Sequence, residues 1–210
     1  MLSWTLLATA VVAISASSNY NYYVFTVEWK PTMCLTTNCV SGYLSTAFNI
    51  HGLWPSDTSG SYPSNCNGAS YSVSSSVTSL LETCWLSDQG SPQSFWEHEW
   101  QKHGTCVQPA TTADAFFTLV VGLYNRIGVE ALLAKVGITP NDTKTYKLST
   151  LASAFPNKVS PSCYQSDGDY YLENLEICFD LSYNQMDCPQ QSAQCGDDDS
   201  FIFPTSDISS

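Results

Sequence analysis

The sequence predicts an α+β domain stapled by disulfides. Strand-like and helix-like segments follow one another irregularly, without the regular strand–helix alternation of doubly wound folds. Nine cysteines occur in a chain whose N-terminus is typical of exported proteins, in which disulfides form. About 190 residues remain after that N-terminal segment, enough for one domain with a sizeable core. We therefore expect a single domain with a central antiparallel sheet flanked by helices.

The first residues are expected to form a secretory signal peptide. An apolar run over 4–14 is followed by small residues, and it is shorter than the roughly 20 residues that a membrane span needs. We predict cleavage between Ser15 and Ser18, giving a signal peptide over 1–17 and a mature domain over 18–210. The segment before the apolar run lacks the usual positive charge, and a buried first strand or helix is the alternative. No other stretch predicts a membrane span.

The elements of the mature domain are marked by three kinds of pattern. Aromatic and β-branched residues indicate a strand, clusters of Ser, Gly, Pro and Asn a loop, and apolar residues at helical spacing a packed helix. In chain order these patterns predict a strand over 22–29, a loop over 56–70, a helix over 91–104, helices over 113–127 and 128–137, and a strand over 170–181. Ser91 and Pro92 favour a helix start, and Gly104 favours a helix end.

The charge balance limits the partners of the domain. The formal net charge is −12 with only seven Lys and Arg, and Lys102 is the only basic residue between Lys30 and Arg126. Proteins that bind nucleic acid mainly by electrostatic attraction use many basic side chains to displace its counterions. An extended basic groove is therefore excluded, and any contact with nucleic acid is expected to be weak and local.

The three histidines lie in two short segments rich in aromatic residues. His51 lies in FNIHGLWP (48–55), and His98 and His103 lie in FWEHEWQKHGTC (95–106). This clustering indicates a common site rather than three separate surface positions.

The second segment presents a mixed set of charges on one side of its predicted helix. At about 100° per residue, Glu99, Lys102 and His103 fall on one face, flanked by the rings of Phe95 and Trp96. The alternative is an ordinary i,i+4 Glu–His pair on a solvated surface, worth a few tenths of a kcal/mol.

A zinc site does not fit this segment. The metalloprotease motif H-E-x-x-H places two histidines four residues apart on one helix face. His98 and His103 are five residues apart, so they diverge by about 140°. Oxidised cysteines would also leave few thiolate ligands. We predict no metal and no cofactor.

Two imidazoles, a lysine and a glutamate suit acid–base chemistry. An imidazole titrates near pH 6.5, so one ring can accept a proton while the other donates one. A lysine can stabilise negative charge that develops in a transition state. The set suits phosphodiester transfer in which the ribose 2′-hydroxyl is the nucleophile.

The two histidine segments resemble the catalytic segments of the ribonuclease T2 family of secreted, acidic RNases. The likeness extends through GSYPSNC (60–66), the helical middle, the cysteine-rich stretch over 163–189 and FIFP (201–204). It covers nearly all of the mature chain. The resemblance implies cleavage of single-stranded RNA to a 2′,3′-cyclic phosphate and then to a 3′-phosphate, without a metal.

The resemblance also implies a role for each polar residue of the two segments. His103 is similar to the general base and His51 to the general acid of the family. Glu99 and Lys102 match the pair that polarises the phosphoryl group and stabilises the pentacoordinate state. His98 matches a supporting phosphate-binding residue. DNA, which lacks the 2′-hydroxyl, is not expected to be cleaved.

Aromatic residues are the candidates for base binding. By resemblance, Trp54 and Tyr62 match positions that stack a base, and Phe95 matches a contact in a second base site; core packing is the alternative for each. Ser56 stands where an acidic residue is common in the family, and Glu28 stands where plant members often have Gln. These two departures leave the base preference open.

Eight paired cysteines allow 105 connectivities, so spacing alone does not settle them. The resemblance implies four bridges, namely Cys34–Cys39, Cys66–Cys106, Cys163–Cys195 and Cys178–Cys188. Cys84 is then left over, and a Cys39–Cys84 bond that leaves Cys34 free is the alternative.

The remaining expectations concern location and rivals. Asn141 begins the only N-x-[ST] sequon, which predicts a glycosylated surface loop. We expect a monomer that is secreted or delivered to a vacuole or lysosome. The rival functions are a catalytically silent binding protein, which would be expected to lack His51 or His103, and a metal-dependent hydrolase, which a chelator would inactivate.

Overall fold

The computed structural model describes residues 20–36, 39, 45–87, 89–189, 195–196 and 199–205. The expected signal peptide, 1–17, lies outside these residues. The strands are β1 (Tyr22–Glu28), β2 (Asn49–Ser56), β3 (Asn141–Lys147), β4 (Ser160–Ser166), β5 (Asp169–Phe179), β6 (Gln185–Met186) and β7 (Ser200–Phe203). The helices are α1 (Lys30–Thr36), α2 (Ser75–Cys84), α3 (Pro92–Lys102), α4 (Ala113–Ile127), α5 (Val129–Lys135) and α6 (Leu148–Ser153), and a 3₁₀ turn spans Gly104–Cys106.

The strands form one sheet, and the α+β prediction is confirmed. The strand order is β2-β1-β5-β7-β3, and β4 and β6 also pair with β5. The pairings are antiparallel except that β5 and β7 run parallel where Tyr171 meets Ile202. The sheet is therefore mixed, whereas the sequence predicted an antiparallel one. A single parallel bridge between two strands leaves no periodic signal in the sequence.

Large aromatic side chains fill the core between the sheet and the helices. The indole N–H groups within it all find backbone acceptors, as buried polar groups require. Trp96 Nε1 donates to the Trp85 carbonyl (2.7 Å), Trp85 Nε1 to the His51 carbonyl (3.1 Å) and Trp100 Nε1 to the Ala69 carbonyl (3.1 Å). These bonds tie α3 to the segments on either side of α2, and they tie Trp85, just after α2, to β2.

Helices α4 and α5 follow the predicted ranges closely. Ala113–Lys135 is, by length and composition, the one helical stretch among the described residues apolar enough to cross a bilayer. Gly128 divides it, because its φ of 59° is left-handed, a conformation that glycine adopts without strain. Phe116, Phe117 and Val120 lie fully buried in the core, as expected for a core helix.

A bulge in the β1–β2 pair sets the direction of the His51 side chain. Thr26 pairs with Gly52 but Val27 pairs with Ile50, so His51 is an extra residue without a partner. Ile50 is buried in the core, and so is Leu53, three residues later. A regular strand alternates faces with period two, so only the bulge allows both to point inward. His51, the extra residue between them, consequently points away from this core and toward the other side of the sheet.

The described residues contain four disulfides. They are Cys34–Cys39, Cys66–Cys106, Cys163–Cys195 and Cys178–Cys188, the pairings that the family resemblance implies. Cys84 is a buried free thiol. Cys66–Cys106 joins the loop before α2 to the turn after α3, so it fixes that loop near the histidines.

Candidate active site

A cleft of about 360 Å³ lies where β2, the following loop and α3 meet. It is lined by His51, Trp54, Ser56, Tyr62, His98, Glu99, Lys102 and His103. The structure thus brings together the four candidate catalytic residues and three of the four candidate binding residues. Phe95, the fourth, is half-buried behind His51, at 5.5 Å between ring centroids. Ser56 is the lining residue that the sequence assigned no role.

Helix α3 delivers three of these side chains, and the residue after it delivers a fourth. Pro92 occupies the first helical position, where its missing N–H is not needed. The helix ends at Lys102, and His103 caps it by donating its backbone N–H to the Glu99 carbonyl at 3.1 Å. Trp96, predicted to flank the polar face, lies instead in the core.

Gly104 follows His103, but it does not end the helix in the way that the sequence predicted. It has no positive φ, so it is not a left-handed helix cap. A side chain at this position would overlap the Trp100 ring, and close packing of that ring therefore explains the glycine.

The His51 imidazole is held on three sides. Its Nδ1 lies 3.0 Å from Glu28 Oε2, and Trp54 and Phe95 meet the ring nearly perpendicular to it. Burial lowers the pKa of His51, but the hydrogen bond to Glu28 and the charge of that carboxylate more than offset this effect and raise the pKa above its ordinary value. The remaining ring nitrogen, Nε2, is left for the cleft, and the side chain is 35% exposed.

The His103 imidazole has the opposite environment. The residue is 7% exposed, and Nδ1 is buried without a hydrogen-bond partner among the described residues. Burial, together with the positive charge of Lys102 beside it, lowers the pKa of His103 to about 3. One imidazole of the cleft is thus stabilised as a cation and the other as a neutral base, which is the pattern that separates acid from base in an active site.

Glu99 lies against the backbone of β2. Its Oε2 accepts a hydrogen bond from Trp54 Nε1 at 3.0 Å, and the residue is 2% exposed. Burial raises the pKa of Glu99. A Cβ placed on Gly52 would overlap both Glu99 Oε2 and Trp54 Nε1, so this glycine makes room for the carboxylate–indole pair.

The candidate base-binding rings differ in exposure. Tyr62 is 59% exposed at the rim of the cleft, whereas Trp54 is half-buried between the two imidazoles, at 5.2 Å from His51 and 5.5 Å from His103 between ring centroids. Asp57 lies in an adjoining depression that shares Trp54, Ser56 and Tyr62 with the cleft.

Two residues next to the cleft were not predicted from the sequence to belong to the site. Glu28 was noted only as a departure from a family pattern, and Lys30 only as one of the few cations; the structure pairs them and places Glu28 on His51. A signal was present, because Glu28 is the one charged residue in a strand, YYVFTVE, that is otherwise aromatic and β-branched.

Comparison with known proteins adds independent findings. A model of the ribonuclease T2 family matches residues 20–188. The chain is 34% identical over 192 residues to Ribonuclease DdI of Dictyostelium discoideum, covering 87% of this chain and 85% of that protein. It is 30% identical over 210 residues to Extracellular ribonuclease LE of Solanum lycopersicum, covering 91% and 90%. The solved structure of ribonuclease MC1 from bitter gourd seeds superposes with a TM-score of 0.75 at 29% identity, covering 88% of this chain and all of that one.

Proposed function

The chain belongs to the ribonuclease T2 family and is an RNA-cleaving endoribonuclease, and we propose that it cleaves single-stranded RNA by metal-free acid–base transphosphorylation. In the first step His103 takes the proton of the ribose 2′-hydroxyl, and the 2′-oxygen attacks the adjacent phosphorus. The bond from phosphorus to the 5′-oxygen breaks, and His51 gives its proton to that oxygen. The products are a 2′,3′-cyclic phosphate and a free 5′-hydroxyl.

In the second step the two imidazoles exchange roles. His51, now neutral, takes a proton from water, and the hydroxide attacks the cyclic phosphate. His103 returns its proton to the departing 2′-oxygen, which leaves a 3′-phosphate. Lys102 stabilises the negative charge on the phosphoryl oxygens in both steps, and Glu99 beside it polarises the same group.

The observation that carries this proposal is the opposite environment of two imidazoles in one cleft. Nδ1 of His51 is hydrogen-bonded to a carboxylate, whereas Nδ1 of His103 has no hydrogen-bond partner among the described residues. A general acid must arrive protonated and a general base must arrive neutral. These contacts support His51 as the acid and His103 as the base, the roles that the family resemblance implies.

Product analysis in the presence of a chelator tests the proposal. Incubation of RNA homopolymers with excess EDTA is expected to release 2′,3′-cyclic nucleotides first and 3′-nucleotides later, at the rate seen without EDTA. The matched oligodeoxynucleotide is expected to stay intact, because it has no 2′-hydroxyl. Loss of activity with EDTA, or 5′-phosphate products, would show a metal-dependent hydrolase instead, and binding without cleavage would show a silent binding protein.

The pH dependence of kcat/KM is expected to be bell-shaped with an acidic optimum. The rate rises with pH as His103 loses its proton, since the pKa of His103 is lowered to about 3. The rate falls again as His51 loses its proton, and this occurs at higher pH because the pKa of His51 is raised. At low pH the neutral fraction of Glu99 grows, because its pKa is raised, and the net charge of −12 diminishes; both changes reduce repulsion of the RNA polyanion. An optimum above about pH 7, or a rate that does not decline on the alkaline side up to about pH 9, would contradict this expectation.

The location and state of the protein complete the proposal. We infer a monomer that enters the secretory pathway, loses residues 1–17 as its signal peptide and acts outside the cell or in a vacuole or lysosome, with no membrane span. The disulfides and the similarity to an extracellular ribonuclease support the secretory route, because disulfides persist in oxidising compartments. Asn141 is the proposed glycosylation site; it is half-exposed and begins strand β3, whereas the sequence predicted a surface loop.

A further inference from the structure

Glu28 occupies an unusual place for a carboxylate. It is the last residue of β1 and is only 2% exposed. One oxygen, Oε2, lies 3.0 Å from His51 Nδ1, and the other, Oε1, pairs with Lys30 Nζ. The carboxylate therefore links an ammonium inside the protein to an imidazole at the edge of the cleft.

We propose that Glu28 is a positioning residue for His51, holding the Nδ1 proton so that Nε2 presents the reactive proton to the leaving 5′-oxygen, while Lys30 keeps the carboxylate ionised. This inference rests on the proposed function. In the first step the Nε2–H bond breaks and the new O–H bond forms at the 5′-oxygen, which takes the electron pair of its bond to phosphorus. His51 is then neutral with its remaining proton on Nδ1, still donated to Glu28.

Stability alone accounts poorly for this arrangement. A buried ion pair loses the hydration of two charges, and its net contribution to folding is often near zero or unfavourable. The pair between Glu28 and Lys30 is almost completely buried, with side chains 2% and 1% exposed. Glu28 also contacts His51, which lines the cleft. Through this contact the buried ion pair can act on the site.

Several charged groups face His51 and affect its pKa together with Glu28. Glu99 from α3 acts in the same direction as Glu28, and Lys30 from α1 acts against it; Lys102 and His103 also line the cleft. Glu28 makes the one carboxylate hydrogen bond to the ring among the described residues. The pKa of Glu28 itself is lowered: burial opposes ionisation, but the bond to His51 and the charge of Lys30 outweigh it.

The test is the pH dependence of kcat/KM in Glu28→Gln, which keeps the shape and removes the charge. Loss of a neighbouring opposite charge lowers the pKa of an imidazole by about 1 or more, so the alkaline limb is expected to move to lower pH by that amount. At a pH above the limb, kcat/KM for RNA is then expected to fall about tenfold if the pKa of His51 falls by about 1. A substrate with a p-nitrophenolate leaving group, which needs no protonation, is expected to be affected far less.

Two further variants separate this role from a structural one. Glu28→Gln with Lys30→Met removes the buried ammonium together with the carboxylate charge beside it, and it is expected to move the limb in the same direction but less far, because the charge of Lys30 itself lowers the pKa of His51. Glu82→Gln, on the exposed side of α2, also removes one negative charge and is expected to leave the limb unchanged. An unmoved limb in folded Glu28 variants overturns the proposal, whereas full activity of His51→Ala on RNA would overturn the proposed function itself.

The wild-type protein provides a measurement that does not depend on the folding of the variants. Nitrogen-15 chemical shifts of neutral His51 are expected to place its proton on Nδ1. A proton on Nε2 instead would show that Glu28 does not hold the ring in the proposed orientation.

Discussion

Replacement of His51 by alanine is expected to lower kcat/KM for RNA about 10²- to 10⁴-fold, the usual contribution of a general acid. The same variant is expected to retain most of its activity on a nucleoside 3′-(p-nitrophenyl phosphate). Its leaving group departs as a stable phenolate and needs no proton. His103→Ala is expected to lose both activities, because the 2′-hydroxyl proton must be removed whatever group leaves. The measurement is kcat/KM of each variant on the two substrates.

A matched control lies on the same helix. Glu97 is exposed on α3 and does not line the cleft, so Glu97→Gln is expected to keep both activities. If His51→Ala and His103→Ala lost the two activities equally, the assignment of acid and base to separate imidazoles would be wrong.

The second large effect is expected at Gly52, which touches no substrate in the proposed mechanism. Its Cα lies beneath the Glu99 carboxylate and the Trp54 indole N–H, and a methyl group there would overlap both. Gly52→Ala therefore displaces the carboxylate that adjoins Lys102 and the ring that lies between the imidazoles. A displacement of about 1 Å can cost about 100-fold in rate, and overpacking costs about 1–3 kcal/mol of folding free energy.

Gly122→Ala is the matched control for this substitution. Gly122 lies on the exposed side of α4, and a Cβ there meets nothing within 4 Å. Alanine is the better helix former, so this change is expected to raise the free energy of unfolding by about 0.5–1 kcal/mol without changing kcat/KM. Thermal unfolding and kinetics on RNA measure both effects. An unchanged rate in folded Gly52→Ala would show that the packing of Glu99 against β2 does not matter for the reaction.

Helical periodicity in the sequence predicted several residues of the site. One face of the predicted helix over 91–104 holds Glu99, Lys102 and His103, and the structure places all three at the cleft, because a regular helix fixes the directions of its side chains. The core helix α4 was found with its observed limits, 113–127, for the same reason.

The strand that carries His51 was not predicted. β2 contains Gly52 and Pro55 and is interrupted by a bulge at His51, so its side chains do not alternate with period two along the chain. The contact of His51 with Glu28 joins residues 23 positions apart and depends on that bulge. Sequence patterns report local spacing and could not provide this pairing.

The most direct test of the proposed acid–base pair is an NMR titration of the imidazoles in the wild-type protein. The chain has only three histidines, and His98→Ala and His103→Ala assign their signals. His51 is expected to titrate above the ordinary imidazole pKa of about 6.5, and His103 is expected to stay neutral down to a pH far below it. Equal pKa values, or a higher value for His103 than for His51, would contradict the assignment of His51 as the acid and His103 as the base.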